Sequence, residues 1–358
     1  MKAASVLIAA FLYLPLFSEN LILTVDLEIT EPPGIIFNGL IDIATDSKNN
    51  IYVLDNKEKS IYLFNEKGTF LRRIGRAGQG PGEFGRPSSI YVDSGDLIYV
   101  LDEANRRIEI FDKNCNYVKS IRIIDFPSGD EKRIVVDHEQ NIYIAGYLPD
   151  VNSILAKYSS RGELLKSYAL PIVEYKGVAF AAPEQRMINE YLAGGSVCVD
   201  DENRLYASYR WPYIIKIISE DGREIRDIRG EADYRWTPYI FATNEINGKL
   251  FSESTRTIKV FLIKDRYLAN SIYVNDWEGN PKRTIDMSIL RRNPESYIRI
   301  KGEYALLDIY SKDGEYINSA RTNKKVYLLC SDKKGRILGI GYDDGDIPIV
   351  VRFNMDVN

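Results

Sequence analysis

One histidine, His138, stands in 358 residues, and that alone limits the chemistry this chain can perform. A Ser-His-Asp relay would need it as its base, and a metal site built on several imidazoles is out of reach. His138 follows Asp137 in a run of turn formers, so a solvated turn position is expected for it. Carboxylates are the other metal donors. Asp343, Asp344 and Asp346 surround Gly345 and form a weak Ca²⁺ candidate, but no glutamate stands where an EF-hand loop ends. A solvated acidic turn explains the same residues. The segment Gly80-Pro-Gly82-Glu-Phe-Gly85 spells GxGxxG, yet a dinucleotide loop must open a helix, and Pro87 followed by another strand comes next. Cys115, Cys198 and Cys330 are odd in number and widely spaced, with no CxxC, so small buried thiols are expected rather than a zinc cage or redox pair. The chain therefore offers no catalytic residue, no cofactor site and no metal beyond the weak aspartate candidates.

Aromatic and arginine side chains offer recognition instead. Trp211, Trp236 and Trp277, with Tyr209, Tyr213 and Tyr239, fall in or beside the longest connections. Arg76, Arg106, Arg107, Arg210 and Arg235 fall there too. These are the residue types enriched at binding hot spots, and loops on a rigid scaffold are where recognition usually sits. The competing account is that the rings only pack long loops onto the scaffold.

The scaffold is written as a repeat. An aspartate is followed six residues later by an aromatic or leucine at Asp46/Tyr52, Asp93/Tyr99, Asp137/Tyr143, Asp200/Tyr206 and Asp332/Leu338. A large apolar residue is then followed by a turn residue at Phe64/Gly68, Phe111/Cys115, Tyr158/Gly162, Ile218/Gly222 and Tyr310/Gly314. Between these beats lie short strands: 89–93, 97–101, 107–111 and 117–121 make one set of four joined by tight turns. Four antiparallel strands of this kind form one propeller blade. The aspartates are placed to accept from backbone N–H groups of the following turn, and the glycines to adopt positive φ. Where Cys115 replaces glycine, Asn114 is expected to take the left-handed conformation.

Blades are expected over 41–74, 88–121, 132–168 and 194–228, with an irregular fifth split by an insertion at 275–303. The sixth, ending at 353, lacks an outer strand, while residues 21–29 form an orphan strand. Pairing the two completes the blade, closes the ring and removes two exposed edges. The expected fold is all-β, a six-bladed β-propeller of four-stranded antiparallel blades, with seven blades if 240–285 held one of its own. In each blade the b–c loops and d–a crossovers share one face, where the aromatic and arginine residues gather; the a–b and c–d turns share the other.

Gly75 to Pro87, followed by Ile90-Tyr-Val-Asp93, Ile98-Tyr-Val-Leu-Asp102, Asn105 to Ile108 and Phe111-Asp112, resembles an NHL repeat. The chain as a whole is similar to exported bacterial six-bladed propellers carrying degenerate NHL repeats. That resemblance implies a fold shared by RNA-binding domains, metal-dependent lactonases and lyases, and interaction scaffolds, so it does not imply one function.

Composition narrows the classes further. A net charge of −4 and a pI near 5.4 argue against a nucleic-acid partner, because phosphate neutralisation needs a cationic footprint. Met1-Lys2 followed by an apolar run to Phe17 suits a secretory signal and is short for a membrane span. Residues 1–18 are thus expected to be a signal peptide and 19–358 a single propeller domain outside the cytoplasm, periplasmic or secreted. The functional expectation is a binding or scaffold module that presents its loop-rich face to a protein, peptide or glycan. The alternative is a Ca- or Zn-dependent hydrolase or lyase at the channel mouth.

Overall fold

The computed structural model describes residues 21–148, 150, 153–168, 195–209, 213–229, 249–250, 255–277, 285–286, 300–322 and 324–355. Strand β1 (Leu21–Ile29) precedes blade 1, which is β2 (Leu40–Thr45), β3 (Ile51–Asp55), β4 (Ser60–Phe64) and β5 (Phe70–Ile74). Blade 2 is β6 (Pro87–Val92), β7 (Ile98–Asp102), β8 (Arg107–Phe111) and β9 (Tyr117–Arg122). Blade 3 is β10 (Ser128–Val136), β11 (Ile142–Leu148), β12 (Ser153–Tyr158) and β13 (Leu164–Tyr168). Blade 4 is β14 (Ser196–Val199), β15 (Leu205–Ser208), β16 (Ile214–Ile218) and β17 (Glu224–Arg229). The two-residue β18 (Lys249–Leu250) comes next, then blade 5 opens with β19 (Thr255–Ile263) and β20 (Tyr267–Trp277). After β21 (Ile285–Asp286), blade 5 finishes with β22 (Ile300–Ser311) and β23 (Tyr316–Thr322). Blade 6 is β24 (Val326–Ser331), β25 (Ile337–Tyr342) and β26 (Pro348–Met355). The β18–β21 pair is no blade, so the ring has six. The insertion is also shorter than 275–303, because β20 and β22 run on to pair Trp277 with Ile300.

Local chemistry explains why each hairpin forms. Asp46 Oδ1 accepts from the Lys48 and Asn50 amides, Asp137 from Glu139 and Asn141, and Asp200 from Glu202 and Arg204. The tyrosine six residues on donates its hydroxyl back to the same carboxylate: Tyr52 at 3.3 Å, Tyr143 at 3.1 Å and Tyr206 at 2.9 Å. Burial, with the nearby aspartate, holds these hydroxyls above the usual tyrosine range, so each remains a donor. In blade 6, Leu338 cannot donate, and Asp332 Oδ2 accepts from Arg336 Nε at 2.7 Å, the residue four positions on, as Asp46, Asp137 and Asp200 accept from Asn50, Asn141 and Arg204. The c–d turns behave as expected at Gly68, Gly162, Gly222 and Gly314, with φ between 80° and 85°. At Cys115 the expectation needs correction: Cys115 itself takes φ 65°, with Asn114 outside the positive-φ set.

The sheets stand radially, so both faces of each blade are covered. Ile43 and Val53 pack with Leu329 and Leu338 of blade 6, while Ala44 and Leu54 pack with Ile90 and Ile98 of blade 2. This is why the Ile-Tyr-Val-Leu-Asp strands β3 and β7 are buried at every residue, while outer strands β5 and β9 are mostly exposed.

The ring closes as expected. β1 pairs antiparallel with β26 from Leu23↔Met355 to Ile29↔Val350, supplying the outer strand of blade 6. Asp26 adds an ion pair to Arg352 at 3.0 Å. One feature was not anticipated: Leu21 and Ile22 also pair in parallel with Ala320 and Arg321 of β23, joining blades 5 and 6 into one eight-stranded sheet.

Candidate functional site

The first strands of the blades, β2, β6, β10, β14, β19 and β24, contact one another in sequence and return to β2, enclosing the axis. Four residues before each turn aspartate, the strands carry Asp42, Ser89, Arg133, Ser196 and Leu328; Lys259 occupies the matching rung in blade 5. Asp42, Ser89 and Lys259 pair with Leu54, Leu101 and Ser271 directly past a bulge, which fixes the correspondence. Five of these six positions are polar, Leu328 being the exception.

Its members interact across blades. Asp42 is fully buried and accepts from the Ser89 hydroxyl at 2.9 Å and the Ile90 amide at 3.1 Å. Lys259 Nζ lies 2.6 Å from Asp42 Oδ1, although blade 6 separates their blades, so the pair must cross the axial space. Burial alone would raise the Asp42 carboxyl, but the charges of Lys259 and Arg133 outweigh it and hold the group ionised below its usual range.

Lys259 forms part of the lining of a cavity of about 620 Å³ that ends at the a–b turns. Its walls include Ala44, Tyr91, Val135, Cys198, Phe261 and Cys330. Both channel cysteines are free, and burial pushes their thiols up, away from the thiolate form. Ser94, His138, Asp201, Lys264, Asp265 and Lys333 surround the mouth. The cavity thus combines an apolar waist, a charged rim and an ion-paired floor.

At the rim, Asp265 and Asp201 share a hydrogen bond beside Lys312, which also reaches Asp200 at 3.3 Å. Burial, then the bond with Asp201, pushes Asp265 up to about 6, against the pull of Lys312. The folded state keeps a proton that the unfolded chain releases near 3.8, so this group's stabilising contribution is present at low pH and lost as pH rises toward about 6. Carboxyl-carbon NMR should show a titration midpoint near 6 for Asp265, moving down in Asp201→Asn, whose amide donates without adding negative charge. A midpoint unmoved by that change would leave burial as the whole cause.

Several residues expected at a recognition face have structural work instead. Tyr213 is buried, and its hydroxyl donates to Asp308 Oδ2 at 2.8 Å; Tyr209 is also buried, in the core shared by blades 3 and 4. Arg107 donates to the carbonyls of Gln79, Gly80 and Glu83, closing the GxGxxG segment from within. Glu83 accepts from the Gly80 amide and pairs with exposed Arg76, while Phe84 is fully buried. The segment is a crossover plug between β5 and β6, with no helix and no cradle of free amides. Arg106 is exposed, donating to the Ile124 carbonyl and lying 5.9 Å from the Phe126 ring. Trp211, Trp236, Tyr239, Arg210 and Arg235 lie outside the described residues, as does the Trp277 side chain and the expected signal peptide.

The acidic candidate resolves into a turn: Asp343 Oδ1 accepts from the Gly345 and Ile347 amides, and Asp346 has φ 59°. His138 sits in the Asp137 turn, exposed at the cavity rim. Among the described residues, no group of three His, Cys, Asp or Glu side chains is placed to hold a metal ion. None of their helices is long and apolar enough to cross a membrane. The polar level was missed from sequence because its residues, Asp42, Ser89, Arg133, Ser196, Lys259 and Leu328, follow no repeat pattern.

Residues 39–159 match the family model DUF5128, described as a 6-bladed beta-propeller. Among solved structures, a DUF4221 member from Bacteroides vulgatus ATCC 8482 is 12% identical, with TM-score 0.61 over 94% of this chain and 99% of that one. A Bacteroides fragilis NCTC 9343 protein, assigned as exported by inference, is 12% identical with TM-score 0.54, covering 94% and 95%. A streptogramin B lyase is 11% identical with TM-score 0.50, covering 94% and 98%. No curated protein shows significant similarity. At such identities the likeness is one of fold. The chain is a six-bladed β-propeller.

Proposed function

We propose that this propeller is an exported binding module that takes a small ligand with an apolar body into the axial cavity, entering from the a–b turn face. One observation carries the reading: a cavity of about 620 Å³ on the axis, with an apolar waist, Lys259 at its inner end, and a mouth carrying Asp93, Asp137, Asp200, Asp201, Asp265 and Asp332 with Lys264 and Lys333. Ligand sites typically measure about 300–1,000 Å³, so the volume is that of a small-molecule pocket. The sequence placed recognition of a protein, peptide or glycan on the opposite, loop-rich face. Tyr209, Tyr213 and Arg107 are used there for packing and loop closure, which favours the cavity instead. Export rests on the Met1–Phe17 pattern. The alternative of a metal-dependent hydrolase or lyase gains no support from the described residues, in which no group of three His, Cys, Asp or Glu side chains is placed to hold a metal ion.

N-phenyl-1-naphthylamine, a neutral apolar fluorophore, tests the cavity. It should bind with one-to-one stoichiometry and brighten, and Ser94→Trp/His138→Trp should weaken it by roughly tenfold, a loss of about 1.4 kcal/mol. Both residues are exposed at the rim, so thermal stability should change little. Undiminished binding in the double variant would put the probe elsewhere and remove this reading.

A further inference from the structure

The waist of the cavity is not round. Three consecutive residues of each first strand line it: 43–45, 90–92, 134–136, 197–199, 260–262 and 329–331. The middle residue of each triplet occupies the same rung of its blade. The pairs are Ala44↔Tyr52, Tyr91↔Tyr99, Val135↔Tyr143, Cys198↔Tyr206, Phe261↔Ala269 and Cys330↔Leu338. All six lean the same way around the ring, because each packs against the core its blade shares with the next. They therefore form one level. First-strand contacts run β2, β6, β10, β14, β19, β24 and back to β2, so blades three apart stand opposite each other. Tyr91 of blade 2 and Phe261 of blade 5, the two rings of this level, are such a pair. The other two diameters join Ala44 to Cys198 and Val135 to Cys330, all short side chains. Both rings are held from behind. The Tyr91 hydroxyl donates to the Val136 carbonyl at 3.2 Å, and Phe261 is 6% exposed in the core of blades 5 and 6.

We propose that this level is an aromatic slot, so the ligand of the axial cavity carries a flat, unsaturated ring system that enters between Tyr91 and Phe261. The slot presupposes the cavity reading above and adds the chemical class of the ligand. A round apolar tunnel would favour whichever hydrocarbon buries more surface, and a saturated fused bicycle is both thicker and more apolar than its aromatic counterpart. Rings on two opposed walls reverse that order. A flat aromatic body gains stacked or edge contacts with both, while a thick one has to push a wall aside.

Displacement of N-phenyl-1-naphthylamine from the full chain by 2-naphthol and by trans-decahydro-2-naphthol tests this. The two alcohols share a carbon skeleton and a neutral polar group, and differ in flatness. 2-Naphthol should displace the probe at roughly tenfold lower concentration. Phe261→Leu and Tyr91→Leu keep an apolar wall but remove a ring, so each should bring the ratio down toward one. Tyr91→Phe restores the ring and should restore the ratio. A decahydro alcohol that binds the unaltered chain as tightly as 2-naphthol overturns the slot, whether or not any variant folds. So does a preference that survives in both leucine variants. If the naphthylamine binds one-to-one and is weakened by Ser94→Trp/His138→Trp while the two alcohols compete equally, the slot falls and the cavity reading stands. Failure of the probe and both alcohols to bind removes both.

Discussion

A chain lacking residues 1–29 is expected to lose its cooperative unfolding transition and to self-associate. β1 supplies the outer strand of blade 6, and without it β26 becomes an open edge. Leu23 and Ile29 are buried among residues of blades 5, 6 and 1, and losing such side chains costs about 1.5–3 kcal/mol each. Arg352, itself buried, would lose the Asp26 carboxylate that its Nε and Nη2 contact, and a stranded buried charge costs about 3–5 kcal/mol. The blade 5 edge loses Leu21 and Ile22 as well. These losses together rival the roughly 5–15 kcal/mol by which folded domains are stable. Urea unfolding with light scattering measures both effects. A monomeric truncated chain with an unchanged midpoint would mean that the ring does not depend on this strand.

Asp42→Ala is expected to be the most damaging single substitution on the axis, lowering stability by about 3–5 kcal/mol. The site is fully buried, and the change leaves Lys259 and Arg133 without their shared counter-charge and Ser89 without its acceptor. The loss is a stranded-charge effect, so Asp42→Ala/Lys259→Met should recover most of it; the pair should be strongly non-additive. Chemical denaturation of the two single variants and the double completes the cycle. Additive losses would show that the two side chains act independently and that the ion pair matters little.

Much of the architecture was legible because its signals are local. Asp137 and Tyr143 are six residues apart, and the bond between them closes within one hairpin, so their spacing alone announces it. Ring closure was legible by counting, since a sixth blade short of one strand and an orphan strand at 21–29 leave a single economical pairing. Cys115 was misjudged through a preference: asparagine tolerates positive φ better, yet the turn's register puts the left-handed residue where the other blades have glycine. Blade 5 hid its pattern because a tight turn at Lys264-Asp265-Arg266 replaces the usual aspartate-led one.

The candidate site was far less legible. Asp42 and Lys259 meet at 2.6 Å although 217 positions separate them, and their blades are not even neighbours. The aromatic and arginine residues were chosen by type, but type does not reveal that Tyr213 is buried against Asp308 or that Arg107 is occupied by three carbonyls.

The sequence by itself determined the blades: period-two strands, aspartate-led turns and positive-φ glycines are set by hydrogen bonds a few residues long, repeated around the chain. Only the tertiary structure decided what meets on the axis. Contacts there depend on how far the radial sheets turn before the circle shuts, a long-range geometric condition that no local pattern encodes. It brings an acid from one blade to a base two blades away and leaves a cavity with an apolar waist and a charged mouth above them.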